Sequence, residues 1–360
     1  MSPEKCTDLS PFILSFDDVK PVTGNGHRSA GKGSSILGKV TIGSGSTIGA
    51  AAVIRADGHF VTIGDDFWIG ANSTVHIAHG VYPAVIGDNV AVGHNSVVHA
   101  CIVGNGCLIE DGVVVLDGSV VDDGVLIEAN STVFPRSILN SNSIYAGSPA
   151  KFVRVLTLEE LEQRKHAFRN RAANTFEETD QRQRASVTRE DVFVARTAVI
   201  CGHIDLRSRT GVFFSCILDA GTQSITVREN TNIQDNSRLI CHADQIVIGA
   251  DTTIGHNVLL KDCRVGARCL IGIGARLSPG TVVEDDVLVA AGSMTEPGQR
   301  ITGGQLWAGR PARPLGDLTD VHRNMMREII EQYCDYGAAY RLQQADGPER
   351  RGSPLHSSTQ

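Results

Sequence analysis

Two stretches carry the residues best suited to chemistry: VAVGHNSVVHAC, from Val90 to Cys101, and TTIGHNVLLKDC, from Thr252 to Cys263. They align without a gap. The first holds His94 and His99. The second keeps a histidine at the first of these positions, His256, and has Lys261 at the second. Another histidine, His76, lies upstream in NSTVHIAHG. Neutral imidazoles are good ligands for Zn²⁺, Co²⁺ or Fe²⁺. Three of them with a position left open for water make a catalytic rather than a structural site. Water on such an ion ionises near neutral pH and becomes a hydroxide nucleophile. As residue types on a repeat, the same histidines also fit corner and surface positions, and at this point both readings stand.

The elements that would position them follow a six-residue rule. From Ile42 the text runs IGSGST, IGAAAV and, after an interruption, IGDDFW and IGANST; it resumes as IGDNVA, VGHNSV, VGNGCL, IEDGVV, VLDGSV, VDDGVL and IEANST. An aliphatic residue recurs every sixth position, usually followed by Gly or an acid. Neither the 3.6 period of a helix nor strand alternation describes this. A hexad with a turn in each unit predicts one flat side of a three-sided, left-handed parallel β-helix, three hexads to a coil, with aliphatic side chains stacked inward. The expected fold class is all-β.

The second half repeats the scheme. YAGSPAKFVRVLTLEEL answers WAGRPARPLGDLTDVHR, pairing Ala146 with Ala308 (308 − 146 = 162), and His94 pairs with His256 (256 − 94 = 162). The chain therefore reads as a tandem duplication: a first module over 1–176, a linker over 177–190, a second module over 191–346 and a disordered tail over 347–360. Each module is expected to close with an α-helix. Thr157 and Glu160 form a candidate capping box. Apolar stripes are expected at Leu158, Leu161, Phe168 and Ala172, and at Val321, Met325, Ile329 and Tyr333, each packed along a prism face.

The 360 residues carry a net charge of −7 and nine scattered cysteines. The charge and the lack of basic, aromatic-interleaved clusters argue against a nucleic-acid partner. No apolar run approaches a membrane span, and the opening MSPEKCTDLSPF does not read as a signal peptide; a cytoplasmic protein is expected. No CxxC pair is present, so the cysteines read as small buried apolar residues rather than zinc ligands.

Residues 35–165, and again 190–345, resemble the γ-class carbonic anhydrase family of left-handed β-helix proteins. The resemblance rests on VIRADG with Arg55 and Asp57, NSTVHIAHG with His76, GHNSVVHAC with His94 and His99, and NIQD with Gln234 and Asp235. It implies that His76, His94 and His99 bind a divalent metal, zinc first and iron or cobalt as alternatives, across a subunit interface to which a neighbour donates the His94 position. It further implies that Arg55 and Asp57 form an interface ion pair near the metal, that a Gln orients the metal-bound water and that an Asp pairs with the Arg.

Each module departs from the pattern in different places. The first has Gly70 and Ala71 where the family has Gln-Asp, a change that would enlarge the pocket floor and suit a bulkier substrate. The second keeps Asn232, Gln234 and Asp235, but has Asp219 and Gly221 at the Arg and Asp positions, Ile240 at the first His and Lys261 at the last. His242 is nearby and reads as a surface residue. Two assemblies follow: a homotrimeric ring of first modules holding His76, His94 and His99, or a mixed-module pseudo-trimer in which His256 replaces His94 and Gln234 and Asp235 stand nearby.

The function implied is a metal-dependent, carbonic anhydrase-like enzyme whose metal-bound hydroxide attacks CO₂ or a small carbonyl or thioester substrate. Three alternatives are a non-catalytic scaffold subunit, a hexapeptide acyltransferase with a single His base, and an enzyme recruited to specialised chemistry.

Overall fold

A branched aliphatic residue at every sixth position must point the same way on every side of a prism, so successive coils bury one residue on top of the next. The computed structural model describes residues 11–24, 29–170 and 191–345, and shows this parallel β-helix. The expected linker and tail lie outside the described residues. Strands pair with the coil above and below. Strand Val97–His99 pairs in register with Thr74–His76, setting Val98 on Val75 and His99 beside His76. Val75, Val98, Val115 and Val133 form one inward column, each at most 1% exposed. Leu218, Leu239, Leu260 and Leu277 form its counterpart in the second half. Burying each such side chain contributes about 1.5–3 kcal/mol.

Polar hexad positions make the corners. Asn72, Asn95, Asn130, Asn236 and Asn257 have φ between 54° and 60°, a left-handed conformation that Asn tolerates better than most residues. In several hexads an acid or amide at the third position accepts a backbone N–H from the coil before it. Asp88 Oδ1 takes Asp65 N at 2.8 Å, Asn105 Oδ1 takes Asp88 N at 2.9 Å and Asp123 Oδ1 takes Asn105 N at 2.6 Å. Cys101, Cys107, Cys263 and Cys269 are buried free thiols, as expected of small apolar residues, and burial pushes their pKa values up.

Each half ends in an antiparallel pair, Ser143–Ala146 with Lys151–Val155 and Gln305–Gly309 with Ala312–Asp317, and then a helix. Helix α1 spans Leu158–Arg169, and α2 spans Asp320–Ala345. Thr157 caps α1 by accepting Glu160 N, but the Glu160 carboxylate turns to Arg154 instead of closing a box. The packed faces also differ from the expected stripes. Leu161 and Phe168 are buried, whereas Leu158 is exposed; Ala172 lies outside the described residues. On α2, Val321 and Met325 are exposed and the buried line is Met326, Ile330, Tyr333, Tyr336 and Tyr340. Three of these are tyrosines, of which the expected stripe included only Tyr333.

The two halves meet directly. Asn257 Nδ2 donates to Asn72 O at 2.7 Å, and Thr74 Oγ1 donates to Asn257 Oδ1 at 2.9 Å. Asn236 Nδ2 donates to Thr74 Oγ1 at 2.9 Å. Val97, Val114 and Leu116 of the first half pack against Ile273 and Ala291 of the second. The α2 tyrosines join Phe16, Leu37 and Val53 to Phe193, Phe213 and Phe214 in one aromatic cluster spanning both halves.

Candidate metal centre

Three histidines converge at this junction. Coil pairing sets His76 beside His99 on adjacent strands, and the second half brings in His256 from the turn after Ile254. One ligand nitrogen from each lies within 4.8 Å of the others. All three side chains are buried.

Carboxylates orient two of the rings. His76 Nε2 is 2.8 Å from Asp57 Oδ1, and His99 Nδ1 is 2.6 Å from Asp117 Oδ1. The nitrogens left over, His76 Nδ1 and His99 Nε2, face one another at 3.2 Å. A carboxylate on the far nitrogen of a ligating imidazole is the usual outer-shell arrangement in metal sites, fixing tautomer and ring direction. His256 Nδ1 lies 3.3 Å from Asp235 Oδ2 without forming a hydrogen bond, so it is a buried polar atom left unsatisfied. Its Nε2 is 3.3 Å from the Tyr333 hydroxyl.

Beneath the histidines Arg55 is fully buried. Its Nε donates to Asp235 Oδ2 at 2.9 Å, its Nη1 pairs with Asp57 and its Nη2 donates to the Tyr333 hydroxyl at 3.1 Å. Phe213, Tyr333 and Tyr336 surround the guanidinium. Tyr340 donates to Asp57 Oδ2 at 3.1 Å, and the Tyr336 hydroxyl bonds Asp57 O and lies 2.6 Å from His79 Nδ1.

Electrostatics keep His76 and His256 neutral. Burial first, and then the Arg55 charge and the neighbouring imidazoles, pull His76 well below the usual histidine range. Burial likewise brings His256 down to about 4, although Asp235 opposes it. Two carboxylates share one guanidinium, and their pKa values split. Burial, with Asp235 adding to it, raises Asp57 to about 6. Burial also pushes Asp235 up, but Arg55 and His256 outweigh it and the net shift is down. Buried imidazole nitrogens aimed at one point, backed by carboxylates, are the donor set a divalent ion requires. The residues present therefore fit a divalent metal.

His94 is not in this cluster. It sits on the edge of the first half, where its Nδ1 accepts Ala71 N at 2.9 Å and its ring stands edge-on to Trp68. The face that would receive a neighbour's His94 is covered by the second half of the same chain. Gly70 and Ala71 share that edge, away from the three histidines. A Cβ on Gly70 would lie 2.7 Å from His94 N, so the missing side chain is space the next coil fills, not an enlarged pocket floor. Gln234 is buried and its Nε2 donates to Asn232 Oδ1 at 3.2 Å. The degenerate pair Ile240 and Lys261 stand in register, as the ligand positions of the first half do. His242 is exposed, its backbone N–H donating to Asp262.

Asp117, Tyr336 and Tyr340 were not anticipated, and Tyr333 was expected only as a packed stripe residue. Asp117 follows His99 by 18 residues, three hexads and so one coil, a spacing that could have found it. The tyrosines carried only a weak signal, their i, i+3, i+7 spacing on a terminal helix.

Comparison with known proteins agrees with this architecture. The hexapeptide repeat of succinyl-transferase matches residues 39–76, 83–117 and 261–294. A putative acetyltransferase from Desulfovibrio desulfuricans G20 covers 91% of this chain and 82% of its own at 16% identity, with a TM-score of 0.51, a likeness of fold alone. The molecule is thus a hexapeptide-repeat β-helix protein. Protein YrdA of Escherichia coli K12 is 30% identical over 157 residues, 85% of its length and 41% of this chain. Gamma carbonic anhydrases 1 and 2, mitochondrial, of Arabidopsis thaliana are 32% and 37% identical, over 45% and 41% of this chain. These matches span 62% and 55% of the two plant proteins, less than two thirds of either. The chain belongs to the γ-class carbonic anhydrase-like family. No helix among the described residues is long and apolar enough to cross a membrane.

Proposed function

We propose that the chain is a divalent-metal enzyme of the γ-carbonic anhydrase type, acting on CO₂ or a small carbonyl or thioester substrate, with a single centre formed between its two halves. His76, His99 and His256 hold the ion, with zinc the first candidate and iron or cobalt as alternatives. Such an ion supplies Lewis-acid activation of water toward an electrophilic carbon. Asp57 and Asp117 fix two of the rings. Arg55 and Asp235 lock the halves together so that His256 stays in reach. The observation that carries this reading is the convergence of three buried imidazoles, two of them with carboxylates on their far nitrogens.

On this reading the arrangement is the mixed-module one. The chain supplies two sectors of a three-fold ring, and the edge bearing His94 is free of metal. His99 is 9% exposed and Asp117 is more open, so substrate reaches the centre from the His99 side.

A second reading, a structural metal in an assembly subunit, draws on the Tyr333 hydroxyl beside His256 and the near-complete burial of the centre. One experiment separates them: metal analysis of the purified chain and of H76A, followed by CO₂ hydration and ester hydrolysis assays. Metal lost in H76A together with turnover supports the enzyme. Metal lost without turnover in either protein supports the structural role. Equal metal in both proteins defeats the site.

A further inference from the structure

Beside the junction lies a groove of about 470 Å³ lined by both halves. Its wall in the second half carries Arg238, Leu259, Arg276 and Met294, which continue one register-matched column from Ile217. The corresponding column of the first half is Val53, Thr74, Val97, Val114 and Thr132, uncharged and buried against the second half. Duplication therefore placed Arg238 where the first copy has Thr74, and Arg276 where it has Val114. Arg310 also lines the groove, and its counterpart is Ser148. All three cationic side chains are peculiar to this wall.

No carboxylate lines the groove, and among the described residues none of the three arginines is paired with one. Arg310 donates to Gly292 O at 2.5 Å, Asn130 O at 2.6 Å and Thr132 Oγ1 at 3.3 Å. Burial and the neighbouring Arg276 both disfavour its charge. Arg238 is likewise disfavoured by burial, with no compensating anion. Like charges gathered in a concave site without counterions raise the local potential for an anion.

We infer that the groove binds a small anion, its phosphate or carboxylate held by Arg238, Arg276 and Arg310. The guanidinium fork suits either anion, through two parallel N–H donors. This inference stands apart from the metal reading, because none of these residues belongs to the histidine cluster.

The test is calorimetric titration of the full chain, as purified and in low salt, with glycerol 3-phosphate and separately with malate. Saturable binding is expected for at least one, weakened at least about tenfold in R276V and further in R238T/R276V. It should also weaken as KCl is raised through the physiological range. Both substitutions install the residue of the first copy. An unchanged melting temperature without ligand shows that the variants are folded. Which probe binds distinguishes phosphate from carboxylate. Absence of saturable heat at about 10 mM of either probe overturns the assignment, since charge-assisted contacts to two guanidinium groups should give millimolar affinity or better. So does binding that survives in R238T/R276V and disappears in H99N, which would move the anion to the histidine centre.

Discussion

Arg55 Nε lies 2.9 Å from Asp235 Oδ2, although 180 residues separate the two along the chain. Neither is accessible to solvent. The ion pair joins two copies of one motif that have each lost the other's partner: the second copy has Asp219 at the arginine position, and the first has Ala71 at the aspartate position. A complementary loss of this kind is harmless only if the two copies face each other.

Removing the shared cation should be severe. In R55M two buried carboxylates lose their partner, and the expected cost is about 3–5 kcal/mol in chemical denaturation. R55K should recover only part of it, because an ammonium cannot reproduce a fork that serves Asp57, Asp235 and Tyr333 together.

Metal content should separate the histidines. H76A, H99A and H256A should each lower bound divalent metal to background by elemental analysis, while H94A keeps it. Metal retained in H256A and lost in H94A would show that another chain's first module, not the second half of this one, completes the site.

Acid should destabilise the metal-stripped protein. Folding holds His256 at about 4 and His76 well below its usual value, against about 6.5 in the unfolded chain. Below that value the unfolded chain binds more protons at these two sites, so stability falls as pH drops through the window. Asp57 acts in the opposite sense. Its folded pKa of about 6 exceeds its unfolded value of about 3.9, so the folded chain binds the extra proton between those limits. Two histidines outweigh one carboxylate, and the urea midpoint should fall from pH 7 to pH 5. In H256N the fall should be smaller.

Tyr333 should matter to stability more than to metal. Y333F leaves an Arg55 N–H without an acceptor in a buried site, at a cost of about 1–3 kcal/mol. The three imidazoles are untouched, so metal content should be unchanged. Loss of metal in Y333F at full stability would show instead that the hydroxyl helps to hold the ion.

Much of the fold was legible because a hexad repeat imposes itself locally. One aliphatic residue per side per coil leaves the chain little choice, and strands such as Thr74–His76 and Val97–His99 fall where the period puts them. His76 and His99 could be placed on one face for the same reason. The α2 surface was legible only in part: its buried line is built from Tyr333, Tyr336 and Tyr340, whose rings are apolar enough to pack and whose hydroxyls find Arg55, Asp57 and His79. The stripe read from the sequence included Tyr333, which is buried, but also Val321 and Met325, which face solvent.

By itself the sequence determined the coil, the duplication, and the two registers that put His76 beside His99 and Ile240 beside Lys261. These depend on neighbours one coil away, and the period encodes them. Only the tertiary structure decided which third histidine completes the group. His94 and His256 occupy equivalent turns, and nothing within about one coil of either tells them apart. The choice depends on which copy's edge meets which copy's face, and that is set by contacts across the junction: Arg55 with Asp235, Thr74 with Asn257, and the aromatic side chains of α2 packed over both halves.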